Sequence, residues 1–151
     1  MTLLHFEDFR AGQVYDCGAH EITKDEIVAF ARAFDPQPQH LDEDAGQRSL
    51  LGGLAASGWQ VCAIGMRLFA DGLILKSANK GGSRVQECRW IKPVKPGDRL
   101  RLDAHVVETN ISRRRPDVGF VTFEWRIYNQ VEQVASVILT PILGWREPGG
   151  A

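Results

Sequence analysis

Two hydrophobic rhythms divide this chain, a helical one early and an alternating one late. Ile27, Phe30, Ala31 and Phe34 recur at i, i+3, i+4 and i+7, the spacing of one helix face. The run opens on Thr23-Lys24-Asp25-Glu26, a capping box, and must stop before Pro36, which predicts a helix of about three turns. The polar stretch 42–49 predicts another turn or two. After the glycine-rich run Leu51-Gly52-Gly53-Leu54-Ala55-Ala56-Ser57-Gly58 comes a second helical segment over 59–70. Its apolar residues Trp59, Val61, Cys62, Ala63, Ile64, Met66, Leu68 and Phe69 cover nearly all sides, so this helix is expected inside the protein, wrapped by something else.

The wrapping comes from the C-terminal half. Leu100, Leu102, Ala104 and Val106 alternate with polar residues, as do Val121, Phe123, Trp125 and Ile127. Strands are predicted over 84–92, 99–108, 118–128 and 133–145. Pro93, Pro96-Gly97-Asp98, the 112–117 run and Asn129-Gln130 supply the turns, and such short turns make sequential strands antiparallel neighbours. Pro141 lacks a ladder donor and places the last strand at an edge or a bulge. The predicted class is α+β: one antiparallel sheet curled around one apolar helix. Residues 1–151 read as a single domain, with no internal repeat.

Composition narrows the function. Eighteen basic against nineteen acidic residues leave a net charge of -1, which offers no global attraction for nucleic acid or an anionic membrane. The three cysteines, 17, 62 and 88, are far apart and lack Cys-x-x-Cys spacing, so no disulfide framework or zinc site is suggested and a reducing cytoplasm is the expected home. No N-terminal signal pattern and no stretch long and uncharged enough to span a bilayer is read from the sequence. His5, His20 and His105 have no metal-ligand spacing, and no metal is expected.

The candidate chemistry lies in Phe34-Asp35-Pro36-Gln37-Pro38-Gln39-His40. Two prolines stiffen a short segment between an acid and an imidazole, a mounting suited to proton transfer near neutral pH without a cofactor. The carbonyl end of the first helix faces Asp35 and is expected to raise its pKa if the carboxyl is buried. Turn chemistry alone also fits a plain helix stop followed by a solvated histidine. The glycine cluster fits a tight turn into a buried helix as well as a site. Arg113-Arg114-Arg115 with Asp117 fits an exposed hairpin loop.

These residues resemble the MaoC-like dehydratases and (R)-specific enoyl-CoA hydratases, which have the hot-dog fold. The family motif Asp-x-Asn-Pro-x-His is matched by Asp35-Pro36-Gln37-Pro38-Gln39-His40, the glycine heading its central helix by Gly58, and a strand and turn by 89–98. The resemblance runs from about Phe6 to Trp145. Gln37 stands where the family has Asn, Ser57 where the better-known hydratases have His, and Ala63 where a helix serine often supports the dyad.

The resemblance implies a hydro-lyase of acyl-CoA and fatty acid metabolism that needs no cofactor. It would add or remove water across the α,β double bond of an enoyl thioester. Asp35 and His40 would be the catalytic dyad and the Gly58 N–H the oxyanion donor, with Gln37, Ser57, Trp59, Gly53, Arg113 and Arg114 as candidate substrate contacts. A homodimer or larger homo-oligomer is implied, with no nucleic acid or membrane partner. A non-catalytic acyl-thioester-binding subunit and a hot-dog thioesterase stay open as alternatives on the same fold.

Overall fold

The computed structural model describes residues 2–147. In chain order the elements are β1 (Val14–Glu21), α1 (Lys24–Phe34), α2 (Glu43–Arg48), α3 (Gly58–Gly72), β2 (Asn79–Trp90), β3 (Arg99–Ile111), β4 (Val118–Tyr128) and β5 (Gln133–Gly144). Short 3-10 turns occur at Phe6–Asp8, Pro38–His40 and Ile74–Lys76. The strands form one five-stranded antiparallel sheet in the order β1-β3-β4-β5-β2, and α3 lies against its concave face. This is the hot-dog fold.

The alternation seen in sequence is the alternation of the sheet's two faces. Leu100, Leu102, Ala104 and Val106 of β3 are buried beside Val121, Phe123, Trp125 and Ile127 of β4. On the convex face Arg101 pairs with Asp103 at 2.7 Å and lies over the Tyr128 ring. From α3, Val61, Gly65, Leu68 and Phe69 are buried against the concave face, with the Phe69 ring 5.1 Å from that of Phe123. Each large apolar side chain buried this way contributes about 1.5–3 kcal/mol.

Several expectations need correction. β1 was not predicted: its burial alternates only weakly, and Gly18, at φ +88°, breaks the ladder between Asp16 and Ala19. α3 is not enclosed on all sides, because Trp59 and Met66 are 60% and 46% exposed on the face turned from the sheet. α1 keeps its capping box, with Glu26 N–H donating to Thr23 Oγ1 at 3.2 Å. It buries Ile27 and Ala31 and leaves Phe34 exposed at its end. β5 is an internal strand, so of the two placements expected for Pro141 the bulge holds: it sits opposite Gly82, next to a register shift between Gly82 and Arg84. The segment Gly58–Lys76, α3 with its 3-10 extension, is by length and composition apolar enough to cross a membrane. That corrects the expectation that no stretch is long and uncharged enough to do so, while Val61, Gly65, Leu68 and Phe69 of this segment are buried against the sheet.

Candidate active site

The end of α1 and the head of α3 converge on one cavity. α1 stops where Asp35 N–H donates back to Ala31 O, since Pro36 cannot continue the helix. Gln37 N–H then donates to Asp35 O at 2.8 Å and His40 N–H to Gln37 O at 3.0 Å, which winds Pro38–His40 into its tight turn. The buried run Leu54 to Ser57 crosses behind this turn. Ala55 N–H donates to Gln39 O at 3.3 Å and Ala56 N–H to Val94 O at 2.8 Å. The acid, the imidazole and the start of α3 are therefore fastened to one another through backbone.

The side chains complete the arrangement. Ser57 Oγ donates to Asp35 Oδ2 at 2.6 Å and Gln37 Nε2 to Asp35 Oδ1 at 2.7 Å. Gln39 Nε2 donates in turn to Gln37 Oε1 at 3.2 Å. His40 is buried, and its Nδ1 lies 2.7 Å from Ala55 O. A carbonyl oxygen only accepts, so Nδ1 donates to it and Nε2 is the ring nitrogen left to face Asp35. That Nε2 stands 3.5 Å from Asp35 Oδ2. At 3.5 Å the two atoms are beyond a strong direct hydrogen bond, and both stay open to a third partner from the cavity.

The Ser57 hydroxyl, then the Gln37 amide, hold the Asp35 carboxyl below its ordinary value, with His40 adding to them and burial opposing. This reverses the expectation drawn from the end of α1. Two donors aimed at the carboxylate outweigh a nearby helix terminus.

The cavity has a volume of about 640 Å³ and is lined by Asp35, Gln37, His40, Gly58 and Trp59, with apolar walls from Leu50, Leu51, Val61, Ile91, Val94 and Val134. Its size lies within the range of small-molecule sites. Gly58 is the first residue of α3, and among the described residues its N–H has no hydrogen-bond partner. Such an amide at a helix start is a donor waiting for an anion or carbonyl. Trp90 lies so close that a Cβ at position 58 would collide with its ring, and the Trp90 and Trp59 rings meet edge to face at 5.0 Å.

Asp35, His40, Gly58, Gln37 and Trp59 thus share one wall system. Ser57 is fully buried and reaches Asp35, not the open space. Gly53 does not line the cavity; its positive φ of +145° belongs to the turn between α2 and α3. Arg113 and Arg114 do not line it either, and lie in the exposed β3–β4 hairpin, where Arg115 pairs with Asp117 at 2.6 Å. Lys92 lines the cavity instead. Ala63 is exposed toward a groove beside Phe30 of α1, so the hydroxyl that supports Asp35 comes from Ser57. Sequence reasoning missed Trp90 as a wall, although it stands inside the matched 89–98 stretch.

Comparison with known proteins gives this geometry a lineage. The family model described as MaoC like domain matches residues 8–124. The chain belongs to the MaoC-like dehydratase family. It is similar to a MaoC-like dehydratase from Rhodospirillum rubrum, with 38% identity and a TM-score of 0.86 over 95% of this chain and 99% of that one. It is also similar to the R-hydratase PhaJ1 from Pseudomonas aeruginosa, with 22% identity and a TM-score of 0.75 over 96% and 88% of the two chains. The uncharacterized protein YdeM of Bacillus subtilis is 31% identical over 129 residues, 85% of this chain and 90% of that protein. Membership supports a hydratase or dehydratase family for the chain.

Proposed function

We propose that the protein is a hydro-lyase that adds water to, or removes it from, the α,β double bond of an enoyl thioester of the acyl-CoA type. One observation carries the reading: an acid, an imidazole Nε2 and an unpartnered helix-start amide face a single cavity. A water held between Asp35 Oδ2 and His40 Nε2 gives a proton to Nε2 as its oxygen attacks Cβ. A proton returned from the dyad then reaches Cα. Asp35, kept as a carboxylate by Ser57 and Gln37, orients the water and balances the imidazolium charge. Negative charge gathering on the thioester oxygen meets the Gly58 N–H, a contact worth about 3 to 4 kcal/mol at a preorganised site. Lys92 stands where it could meet the anionic part of a carrier.

The fold also supports a homodimer. β2 is an edge strand, and Trp90 and Val85 on it and Trp59 beside Trp90 are all exposed in a single chain. A second copy covering this side would hide both the free ladder edge and the apolar patch.

The test is a panel of enoyl-CoA substrates, followed by loss of the conjugated absorbance and by release of free CoA. Hydration without CoA release is the expected result. CoA release without hydration would overturn the reading in favour of a thioesterase, and binding without turnover would favour the non-catalytic subunit. Light scattering is expected to give a dimer or larger, and a monomer at working concentration would remove the shared-interface part.

A further inference from the structure

Two cysteines separated by 26 positions meet in the fold. Cys62 Sγ of α3 and Cys88 Sγ of β2 stand 3.5 Å apart, both half-buried and both free thiols. The third cysteine, Cys17, is buried elsewhere, packed against Gly72. Burial first, and the neighbouring Cys62 second, push the Cys88 thiol up to about 12, and either sulfur can donate to the other. Closing the gap to bonding distance requires about 1.5 Å of approach. The side that must give is β2, whose pairing with β5 is interrupted by three register shifts.

We propose that Cys62 and Cys88 form a dithiol that a hydroperoxide closes into a disulfide, tying α3 to β2 beside the cavity. The Cys62 sulfur attacks one peroxide oxygen and gives up its own proton to the oxygen that leaves. The O–O bond breaks, an alcohol or water leaves with the added proton, and Cys62 becomes a sulfenic acid. The Cys88 sulfur then attacks Cys62 Sγ and expels hydroxide, which takes the Cys88 proton and leaves as water. The two sulfurs together lose two electrons, and the peroxide gains them. Cys62 stands one helical turn beyond Gly58, and Cys88 two residues before Trp90. The new bond therefore joins the two elements that meet where Trp90 packs on Gly58. On the hydratase reading above, it fixes Trp90 against Gly58 at the cavity wall and slows turnover.

The experiment treats the full chain with hydrogen peroxide and follows it by non-reducing peptide mapping. The expected product is a peptide pair linked through residues 62 and 88, about 2 Da lighter than the two thiol peptides, with Cys17 unmodified and full reversal by a dithiol reductant. Thermal melting of the oxidised chain is expected to rise by about 5 °C or more. Cys88→Ser should show no link and no rise, and should trap a dimedone adduct on Cys62. Higher oxides on Cys62 or Cys88 without a 62–88 link, or a link that involves Cys17, would overturn the proposal. In the same samples, turnover of crotonyl-CoA should fall severalfold in oxidised wild type and stay unchanged on peroxide treatment of Cys62→Ser. A linked chain with full turnover would remove the coupling to the site. A reduced chain without any turnover, yet forming the link, counts against the hydratase reading and leaves the disulfide standing.

Discussion

Gly58 and Gly65 lie about two turns apart on α3, and each lets a tryptophan approach the helix closely, yet the two contacts serve opposite ends. At Gly65 a Cβ would stand 3.0 Å from Ile127 Cδ1 and 3.2 Å from the Trp125 ring, in the middle of the buried core. Every backbone group there belongs to the helix ladder. At Gly58 the ring of Trp90 lies closer still, but it is half exposed, and the amide beneath it has no partner. One glycine allows packing that is already complete. The other leaves a donor open at the edge of a cavity. The difference separates what holds the fold from what equips the site, and substitutions at the two ends should divide along the same line.

The largest effect is expected at the dyad that faces the open end. Asp35→Asn keeps shape while removing the charge that orients water, and His40→Ala removes the lone pair. Each should lower kcat/KM for an enoyl-CoA by about two to four orders of magnitude. Folding of both should be checked by circular dichroism. Turnover that survives in both variants would break the division, because the open end would then hold no chemistry.

Gly58→Ala comes next. The amide remains, but its new methyl must push Trp90 aside, so kcat should fall about 10- to 100-fold with little change in melting temperature. Trp90→Ala removes the obstacle, and the double variant should recover part of the loss. A double-mutant cycle that shows simple additivity would mean that the contact between residues 58 and 90 does not govern the site.

How much of this was visible beforehand depends on how local each feature is. The Asp35 to His40 segment was legible because proline geometry acts within a few residues, and the strand alternation of β3 and β4 because burial imposes it residue by residue. β1 was illegible: a glycine bulge and an exposed polar edge erase the period. Trp90 over Gly58, Cys62 against Cys88, and Ser57 reaching Asp35 across 22 positions are products of tertiary placement. No periodicity records them. The pKa direction of Asp35 failed for the same reason, since the sequence displayed the helix end and hid the two donors.

Ser57→Ala tests those donors and has a smaller effect. Removing a hydrogen bond to this half-buried charged group should cost about 1.5–3 kcal/mol at neutral pH. The folded-state pKa of Asp35 is depressed from 3.8, so its contribution is present above that value and lost as pH falls through the folded pKa. The stability gap between wild type and Ser57→Ala should therefore be full at pH 7 and shrink below about pH 4. The acid limb of the pH–rate profile should move to higher pH in the variant. A gap that is constant down to pH 2 would assign the loss to the helix cap that Ser57 also makes to Trp59 N–H.

Gly65→Ala closes the comparison from the packed end, and its net effect should be the smallest. Alanine favours the helix by about 1 kcal/mol over glycine, while the added methyl presses on Ile127 and Trp125 at distances that require both to shift. Overpacking of this kind costs about 1–3 kcal/mol. The balance predicts a loss of about 1 kcal/mol, read as a small drop in denaturation midpoint with the slope unchanged. Turnover per folded molecule should match wild type, because Gly65 does not line the cavity. If Gly65→Ala instead lowered kcat as much as Gly58→Ala, the two ends of α3 could not be treated as separate, and the core under the helix would have to be counted as part of what positions the Gly58 amide.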